Sequence, residues 1–202
     1  MKLWFEKMDF IRKLAELIRK EETGPIVRRF FINTLFDSTF VLLGIVVGSF
    51  LASETSLETI VLTMFTSSFA LGISAGISIY EAESLEEERR IAELEKALFR
   101  DLSGTVIEKK ARYVTMFTAL VNFLTPLFSC MITMLPFIFV ALKILEIRLA
   151  SCISIILALS ILFSAGVMLG KLGKRNPWIK GIRMVAFGII AFIVGFLLDL
   201  II

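Results

Sequence analysis

Residues 30–52 read FFINTLFDSTFVLLGIVVGSFLA, an apolar run of 23 residues with one ionisable side chain, Asp37. A helix of about 20 apolar residues is long enough to cross a bilayer. Asp37 lies eight residues, or about 12 Å of helix, beyond Arg29. A carboxylate at that depth is costly and often marks an ion or proton path. The alternative is a protonated or hydrogen-bonded Asp37 that only holds helices together.

Four more apolar runs follow the first, and 57% of the 202 residues are hydrophobic. Each run has the length that a membrane-spanning helix needs, and none shows the alternating polarity of barrel strands. We therefore predict an all-α membrane protein with five transmembrane helices. The four further spans are Ile60–Tyr80, Tyr113–Leu142, Leu149–Leu169 and Met184–Ile202.

The basic residues predict the orientation. Of the 22 Lys and Arg residues, all but Lys143 and Arg148 lie before span one, between spans two and three, or around the loop between spans four and five. Such an excess marks the cytoplasmic side. We expect an integral protein of the cell membrane, with a cytoplasmic amino terminus and an external carboxyl terminus. The first residues lack the continuous apolar region of a signal peptide.

Two segments outside the spans are predicted to be helical. Residues 1–24 place Trp4, Met8, Ile11, Ala15 and Ile18 on one stripe, which indicates an amphipathic helix on lipid or on a partner subunit. Residues 81–112 form an acidic cytoplasmic segment that continues span two as a helix to near Ser103, before a second short helix. Residues 25–80 hold spans one and two, and residues 113–202 hold spans three to five.

The acidic segment is a candidate metal site. Glu81 and Glu88 are seven residues apart, and Glu83 and Glu87 are four apart, so carboxylates follow two stripes of the helix. Carboxylate oxygens suit Mg²⁺, Ca²⁺ and Mn²⁺, and Fe²⁺ less selectively. Alternatively, the segment is a solvated face neutralised by its own basic residues, with Glu86 and Arg90 four residues apart. A metal site here needs ligands from a second helix or chain.

Span three carries two prolines and a file of polar residues. Pro126 removes a backbone donor and frees the carbonyl of Asn122, and Pro136 does the same for Ile132. Freed carbonyls inside a membrane are buried in protein or face water. The file either lines a transport path or belongs to a kinked, packed helix. Its members are Thr118, Asn122, Thr125, Ser129 and Thr133.

Glycine pairs predict close helix contacts. Gly44 and Gly48 in span one are four residues apart, a spacing that lets helix backbones approach each other. Similar pairs occur in spans two and four, and span five has a glycine every seven residues. Each pair fits either packing within one chain or a homodimer contact.

Some functions are excluded by what the sequence lacks. Histidine is absent, so no Ser-His or Cys-His nucleophile pair and no His-ligated metal site can form. No phosphate-binding loop indicates a nucleotide, so a secondary transport mechanism is expected. An intramembrane enzyme would need Ser38, Ser67, Ser68 or Cys130 as nucleophile without a histidine base. We predict no enzyme activity, no resident cofactor and no nucleic-acid partner.

Several stretches resemble the vacuolar iron transporter family. In span one, Asp37, Gly44 and Gly48 match the family's acid and its following glycines. In span two, the family's Ala-Gly followed by a glutamate-rich helix is similar to Ala75-Gly76 and the acidic segment. MITMLPFIF at residues 131–139 resembles the end of the family's third span. NPWIKGIRMVAFGIIAFIVGFLLDLI at residues 176–201 resembles its entrance to span five.

The resemblance implies a five-span homodimer that exports Fe²⁺ or Mn²⁺ from the cytoplasm against protons. Asp37 would be the intramembrane ligand or proton carrier, and Glu81 and Glu83 the cytoplasmic mouth, with Glu87 and Glu88 as further ligands. Asn122 and the carbonyl that Pro126 frees would add neutral oxygens to the path.

The sequence also departs from the family pattern. Ser38, Ile73 and Ile77 stand where the family has Gly, Met and Glu, and the acidic insertion is short. Met64 and Met116 are the other possible soft ligands. The remaining alternative function is a non-transporting membrane scaffold with a structural Asp37.

The topology is testable by cysteine labelling in intact cells. Cysteines introduced at Lys2 and Glu93 should be protected from an impermeant maleimide, whereas cysteines at Glu146 and Ile202 should react. Labelling of the Glu93 position from outside would reverse the proposed orientation.

Overall fold

The computed structural model describes residues 24–52, 56–173 and 176–201, and side chains as far as Leu197. These residues form five α-helices and no strand, which confirms the predicted all-α class. All five helices are long and apolar enough to cross a membrane. The helices are α1 Gly24–Leu51, α2 Leu57–Leu98, α3 Val106–Ala141, α4 Ile147–Leu172 and α5 Pro177–Ile201.

Helix α1 begins earlier than the apolar run. It starts at Gly24 with Pro25 in its first turn, where proline costs no backbone hydrogen bond. Its first turns therefore contain Arg28 and Arg29, the basic residues that precede span one. The amphipathic helix predicted for residues 1–24 otherwise lies outside the described residues.

Helix α2 continues without a break from span two into the acidic segment. Its 42 residues correspond to about 63 Å of helix. It ends at Leu98, before the predicted end near Ser103. The reason is local, because the Glu95 carboxylate accepts a 2.9 Å hydrogen bond from the Leu102 amide and turns the chain back. Gly104 then adopts a positive φ of 72°, which glycine tolerates best.

Helix α3 corrects the prediction of a separate short helix before span three. It runs unbroken for 36 residues, with Pro126 and Pro136 inside it. Its start is capped by Glu108, whose carboxylate accepts a 2.6 Å hydrogen bond from the Gly104 amide. No helix-breaking residue separates this cap from the apolar part of the helix. The helix therefore continues past Arg112 into the apolar span.

The chain divides into two compact units. The first contains the described residues up to Phe31 together with Ser74–Asn122, which form the acidic segment and its surroundings. The second contains Ile32–Ile73 and the chain from Phe123 onward. The second unit holds two apolar clusters, one around Leu42, Met64 and Phe137 and one around Leu43 and Leu162.

Hydroxyl groups link the helices inside the second unit. Thr39 of α1 and Ser129 of α3 share a 2.9 Å hydrogen bond, and Ser154 of α4 donates to the Thr133 carbonyl at 2.6 Å. All four residues are fully buried. Interhelical hydrogen bonds of this kind hold membrane helices together where lipid gives little hydrophobic driving force. This part of the polar file of span three therefore serves packing within one chain.

The glycines of the second unit fall into two groups. A Cβ added at six of them would lie 3.0 Å or less from another side chain or backbone: Gly72, Gly166, Gly170, Gly181, Gly188 and Gly195. These glycines let helices of one chain approach closely. Gly44 and Gly48 are different, because an added Cβ at either position meets nothing within 4 Å.

Gly166→Ala should destabilise the packing of α4 on α5. The new Cβ would lie 2.8 Å from the Lys180 carbonyl oxygen and 2.9 Å from the Gly181 Cα. Overpacking of this kind costs about 1–3 kcal/mol, so the thermal unfolding midpoint in detergent should fall. Gly173→Ala is the control, since its nearest such neighbour is 3.5 Å away. Equal midpoints for the two variants would contradict the close contact between α4 and α5.

Candidate functional site

One face of α1 is exposed along the apolar span. Asn33, Asp37 and Val41 follow each other at intervals of four residues, and all three are exposed. Gly44 and Gly48 continue the same face and are also exposed. We call these five residues the open face of α1.

The opposite face of α1 is buried in the chain's own core. Leu42 and Leu43 are fully buried, and Val46 and Val47 are nearly so. The rotation of α1 is therefore fixed by packing of its larger apolar side chains. That rotation leaves the carboxylate and the two glycines on the outside.

Asp37 has no hydrogen bond or ion pair among the described residues. The interpretation of Asp37 as an acid that joins two helices of the same chain is therefore not supported by the described part of the molecule. An exposed carboxylate in the middle of a span must face lipid, water or another subunit. Lipid is the costly option.

The second candidate region is a groove of about 400 Å³ in the first unit, beside the part of α2 that continues beyond span two. We call it the acidic groove. Glu87, Glu88 and Glu95 line it from α2, and Glu108 and Arg112 line it from α3. Two of the four predicted acidic ligands, Glu81 and Glu83, are not among its lining residues.

Most carboxylates of the acidic groove already have partners. Glu87 pairs with Arg90 at 3.5 Å, so the predicted pairing of Arg90 with Glu86 is replaced by one at a spacing of three. Glu108 pairs with Arg112 at 3.7 Å and caps α3, and Glu95 holds the loop. Glu88 is the exposed member of the set. Outside the groove, partial burial raises the pKa of the Glu83 carboxyl above its usual value, and the positive charge of Arg29 opposes this shift.

The loop between α2 and α3 is stabilised by its own acid. Ser103 donates hydrogen bonds to Asp101 from its side chain and from its backbone amide, the latter at 2.8 Å. These bonds lower the pKa of the Asp101 carboxyl below its usual value. Asp101 is fully exposed, so this effect concerns the shape of the loop more than stability.

Thr115 is a residue that the sequence reading missed. It lines the acidic groove, and its hydroxyl is buried without a hydrogen-bond partner. An unsatisfied buried hydroxyl costs free energy, so such groups often bind a water or a ligand. Thr115 lies three residues before Thr118, so it extends the polar file of span three, and that spacing is the signal that could have found it.

Across residues 24–52, 56–173 and 176–201, no group of three or more Asp, Glu or Cys side chains could hold a metal ion. No three of Asp37, Glu81, Glu83, Glu87 and Glu88 therefore form such a group in the described part of the chain, and a metal site there would need further ligands.

The predicted neutral ligands of span three lie in the interior. Asn122 is fully buried and donates to the Thr118 carbonyl at 2.7 Å, within the same helix. Pro126 lies inside the unbroken α3. Met64 is buried in an apolar cluster, whereas Met116 is exposed on α3.

Comparison with known protein families shows which family this chain is related to. A sequence model of the VIT family matches residues 96–199, just over half of the chain. The chain belongs to the VIT family. It is accordingly an integral membrane protein that transports divalent metal ions, as VIT proteins are transporters and not enzymes.

The VIT match covers the end of α2, the whole of α3 and α4, and most of α5. The open face of α1 and residues 81–95 of the acidic segment precede it. An uncharacterized protein of Methanocaldococcus jannaschii is similar over more of the chain. It is 28% identical over 179 residues, which cover 87% of this chain and 90% of the relative.

Gly48→Leu should leave the protomer folded and weaken its self-association. A Cβ at this position would meet no neighbouring atom of the described residues within 4 Å, so the new side chain starts outside the packed core. Crosslinking in membranes should show less dimer. Ser160→Leu, which adds bulk to an exposed position of α4, is the matched control. Equal dimer yields for wild type and Gly48→Leu would place the interface elsewhere.

Proposed function

We propose that this VIT protein exports Fe²⁺ or Mn²⁺ from the cytoplasm in exchange for protons, through a path between two identical protomers. The observation that carries the proposal is the open face of α1. It combines an unpartnered intramembrane carboxylate with two glycines that leave the helix backbone accessible. A second copy of the same face would supply a second Asp37.

The proposed role of Asp37 is to bind the metal and release a proton in turn. Two carboxylates that approach each other in a span cannot both ionise easily, so one of them holds a proton. A divalent cation between them favours the ionised form of both. Metal entry then displaces a proton, which couples the two movements.

The acidic segment supports metal capture before entry into the span. Glu88 is exposed in the acidic groove, and the groove also offers the unpartnered hydroxyl of Thr115. Glu81 and Glu83 directly follow span two and lie between Tyr80 and Ser84, which line this groove, so we assign them to the cytoplasmic mouth. Carboxylate and hydroxyl oxygens suit Mn²⁺ well and Fe²⁺ less selectively.

Asn122 and the carbonyl freed by Pro126 enter the proposal as neutral oxygen ligands. The side chain of Asn122 is fully buried, so it could act only along a path that reaches the protomer interior. Asn122 and the freed carbonyl are therefore less important to the proposal than Asp37, whose side chain is exposed.

The decisive experiment measures metal uptake and proton movement in proteoliposomes with Asp37→Asn. The substitution keeps size and hydrogen bonding but removes the titrating group. We expect normal insertion and dimerisation, with at least a tenfold loss of metal-driven proton movement. Fe²⁺, Mn²⁺, Co²⁺, Zn²⁺ and Ca²⁺ should be compared in parallel to define the substrate.

Glu58→Gln is the matched control. It removes one exposed carboxylate from the first turn of α2, and this variant should transport metal at the wild-type rate. Wild-type rates in well-folded Asp37→Asn would remove Asp37 from the path and leave Glu81 and Glu83 as candidates. Poor assembly with residual transport in the folded fraction would instead support a structural Asp37. A wild type that moves no metal would favour the scaffold function.

A further inference from the structure

Three sulfur-containing side chains belong to the core of the second unit. Met64 of α2 and Cys130 of α3 are members of one buried cluster, and Met134 of α3 packs against it. Met64 is fully buried and Cys130 is nearly so, whereas Met134 is partly exposed. We call these three residues the sulfur cluster. Neither the proposed transport path nor the hydroxyl links between the helices uses them.

The packing of α2 on α3 brings the sulfur cluster together. A Cβ added to Gly72 would lie 2.6 Å from the Phe123 carbonyl oxygen, and one turn earlier on α2 Ser68 lies beside Cys130. Residue numbers therefore fall along α2 as they rise along α3, so the two helices are antiparallel. One turn further on, the two methionines of the cluster are on facing turns. A turn is about 6 Å of helix, which a flexible methionine side chain can span.

Ser68 supplies an independent observation that points to a ligand. Its side chain is fully buried, and its hydroxyl has no hydrogen-bond partner among the described residues. The hydroxyl lies beside the Cys130 thiol, which is a weak hydrogen-bond acceptor. Hydrogen bonds to charged acceptors are about twice as strong as those between neutral groups. A thiolate at Cys130 would therefore give the Ser68 hydroxyl a good acceptor.

We propose that the sulfur cluster is a binding site for a soft monovalent metal ion, Cu⁺. Cys130 would bind the ion as a thiolate, and Met64 and Met134 would bind it through their thioether sulfurs. Ser68 would donate a hydrogen bond to the thiolate and hold it in position. Thiolate and thioether sulfurs select Cu⁺, whereas carboxylates suit harder cations. The site does not include Asp37 or the acidic groove, so the proposal does not depend on Fe²⁺ or Mn²⁺ transport.

Charge decides between a monovalent and a divalent ion at this site. No Asp, Glu, Lys or Arg side chain is buried among the described residues, so Cys130 is the one source of negative charge in the cluster. Binding of Cu⁺ displaces the thiol proton to water, and one thiolate with one Cu⁺ is neutral. A divalent ion would leave a net positive charge in the membrane interior, which is costly.

Packing and access also suit one small ion. Two sulfurs that bind a metal at about 2.3 Å, the zinc–thiolate distance, lie about 3.8 Å apart in a tetrahedral site. This separation is similar to an ordinary contact between packed side chains. The side chains of the cluster therefore need only small shifts to hold an ion. Met134 is partly exposed, so it gives the ion a route from the surface of the described chain to Cys130.

Copper binding to the full-length protein in nanodiscs tests the site. In a Cys152→Ser background, which removes the exposed thiol, the protein is equilibrated without oxygen with Cu⁺ buffered by bathocuproine disulfonate. We expect one copper ion per chain, and less than a tenth of that in Cys130→Ser. Met64→Leu and Met134→Leu should each weaken binding at least tenfold, because each removes one sulfur at similar volume. Met131→Leu, at an exposed position of α3, is the matched control and should bind copper as before.

X-ray absorption at the copper edge gives a readout that a general loss of stability would not produce. Copper in the intact site should show a shell of three sulfurs, and Met134→Leu should reduce that shell to two. Ser68→Ala should keep all three sulfurs and weaken binding about tenfold, as is typical when a partner of a metal ligand is removed.

Four results would overturn the proposal. They are a protein that takes up no copper, copper retained in Cys130→Ser, equal affinities in Met64→Leu and Met131→Leu, and a copper shell of oxygen or nitrogen. Copper that binds only when Cys152 is present would likewise assign the binding to the exposed thiol. If Cys130→Ser fails to fold, as judged by gel filtration, the two methionine variants and the absorption spectrum decide.

Discussion

The cost of a carboxylate in hydrocarbon is the constraint on which the rest of this molecule depends. Asp37 lies in the middle of α1, and packing of Leu42 and Leu43 into the core turns it outward. A lone charge cannot face lipid cheaply, and the described chain offers no partner. The same rotation exposes Gly44 and Gly48, so the face that most needs to be covered is also the one that another helix can approach most closely.

Glycine spacing has two different meanings in this protein. Gly166 and Gly181 are separated from neighbouring atoms by distances that leave no space for a side chain, so they allow α4 and α5 to pack within one chain. Gly44 has the same sequence context of small residues at intervals of four, yet a Cβ added there would meet no neighbouring atom within 4 Å in the described part of the chain. The motif permits close approach, and the surrounding side chains decide whether the approaching helix is already present.

The carboxylates of the acidic segment also differ in what they contact. Glu95 and Glu108 use their carboxylates to hold the loop between α2 and α3, and Glu87 is paired with Arg90. These acids shape the acidic groove, whereas Glu88 is exposed within it. A run of glutamates thus combines carboxylates that hold the loop and the start of α3 with one that is exposed in the groove.

The sequence by itself determined the five spans, the continuous α2 and the position of Asp37 in the middle of the first span, because length, apolarity and the placement of a lone charge are properties of local segments. It missed the unbroken α3 and the loop held by Glu95, because glutamates that accept local hydrogen bonds cannot be told from exposed ones by their spacing. It also missed the buried hydroxyl of Thr115, because burial depends on the residues that pack around it. Only the tertiary structure decided which glycines have another helix packed against them and which face of α1 is exposed. Those outcomes follow from the way helices pack against each other. The same glycine spacing is compatible with a packed neighbour and with an exposed face.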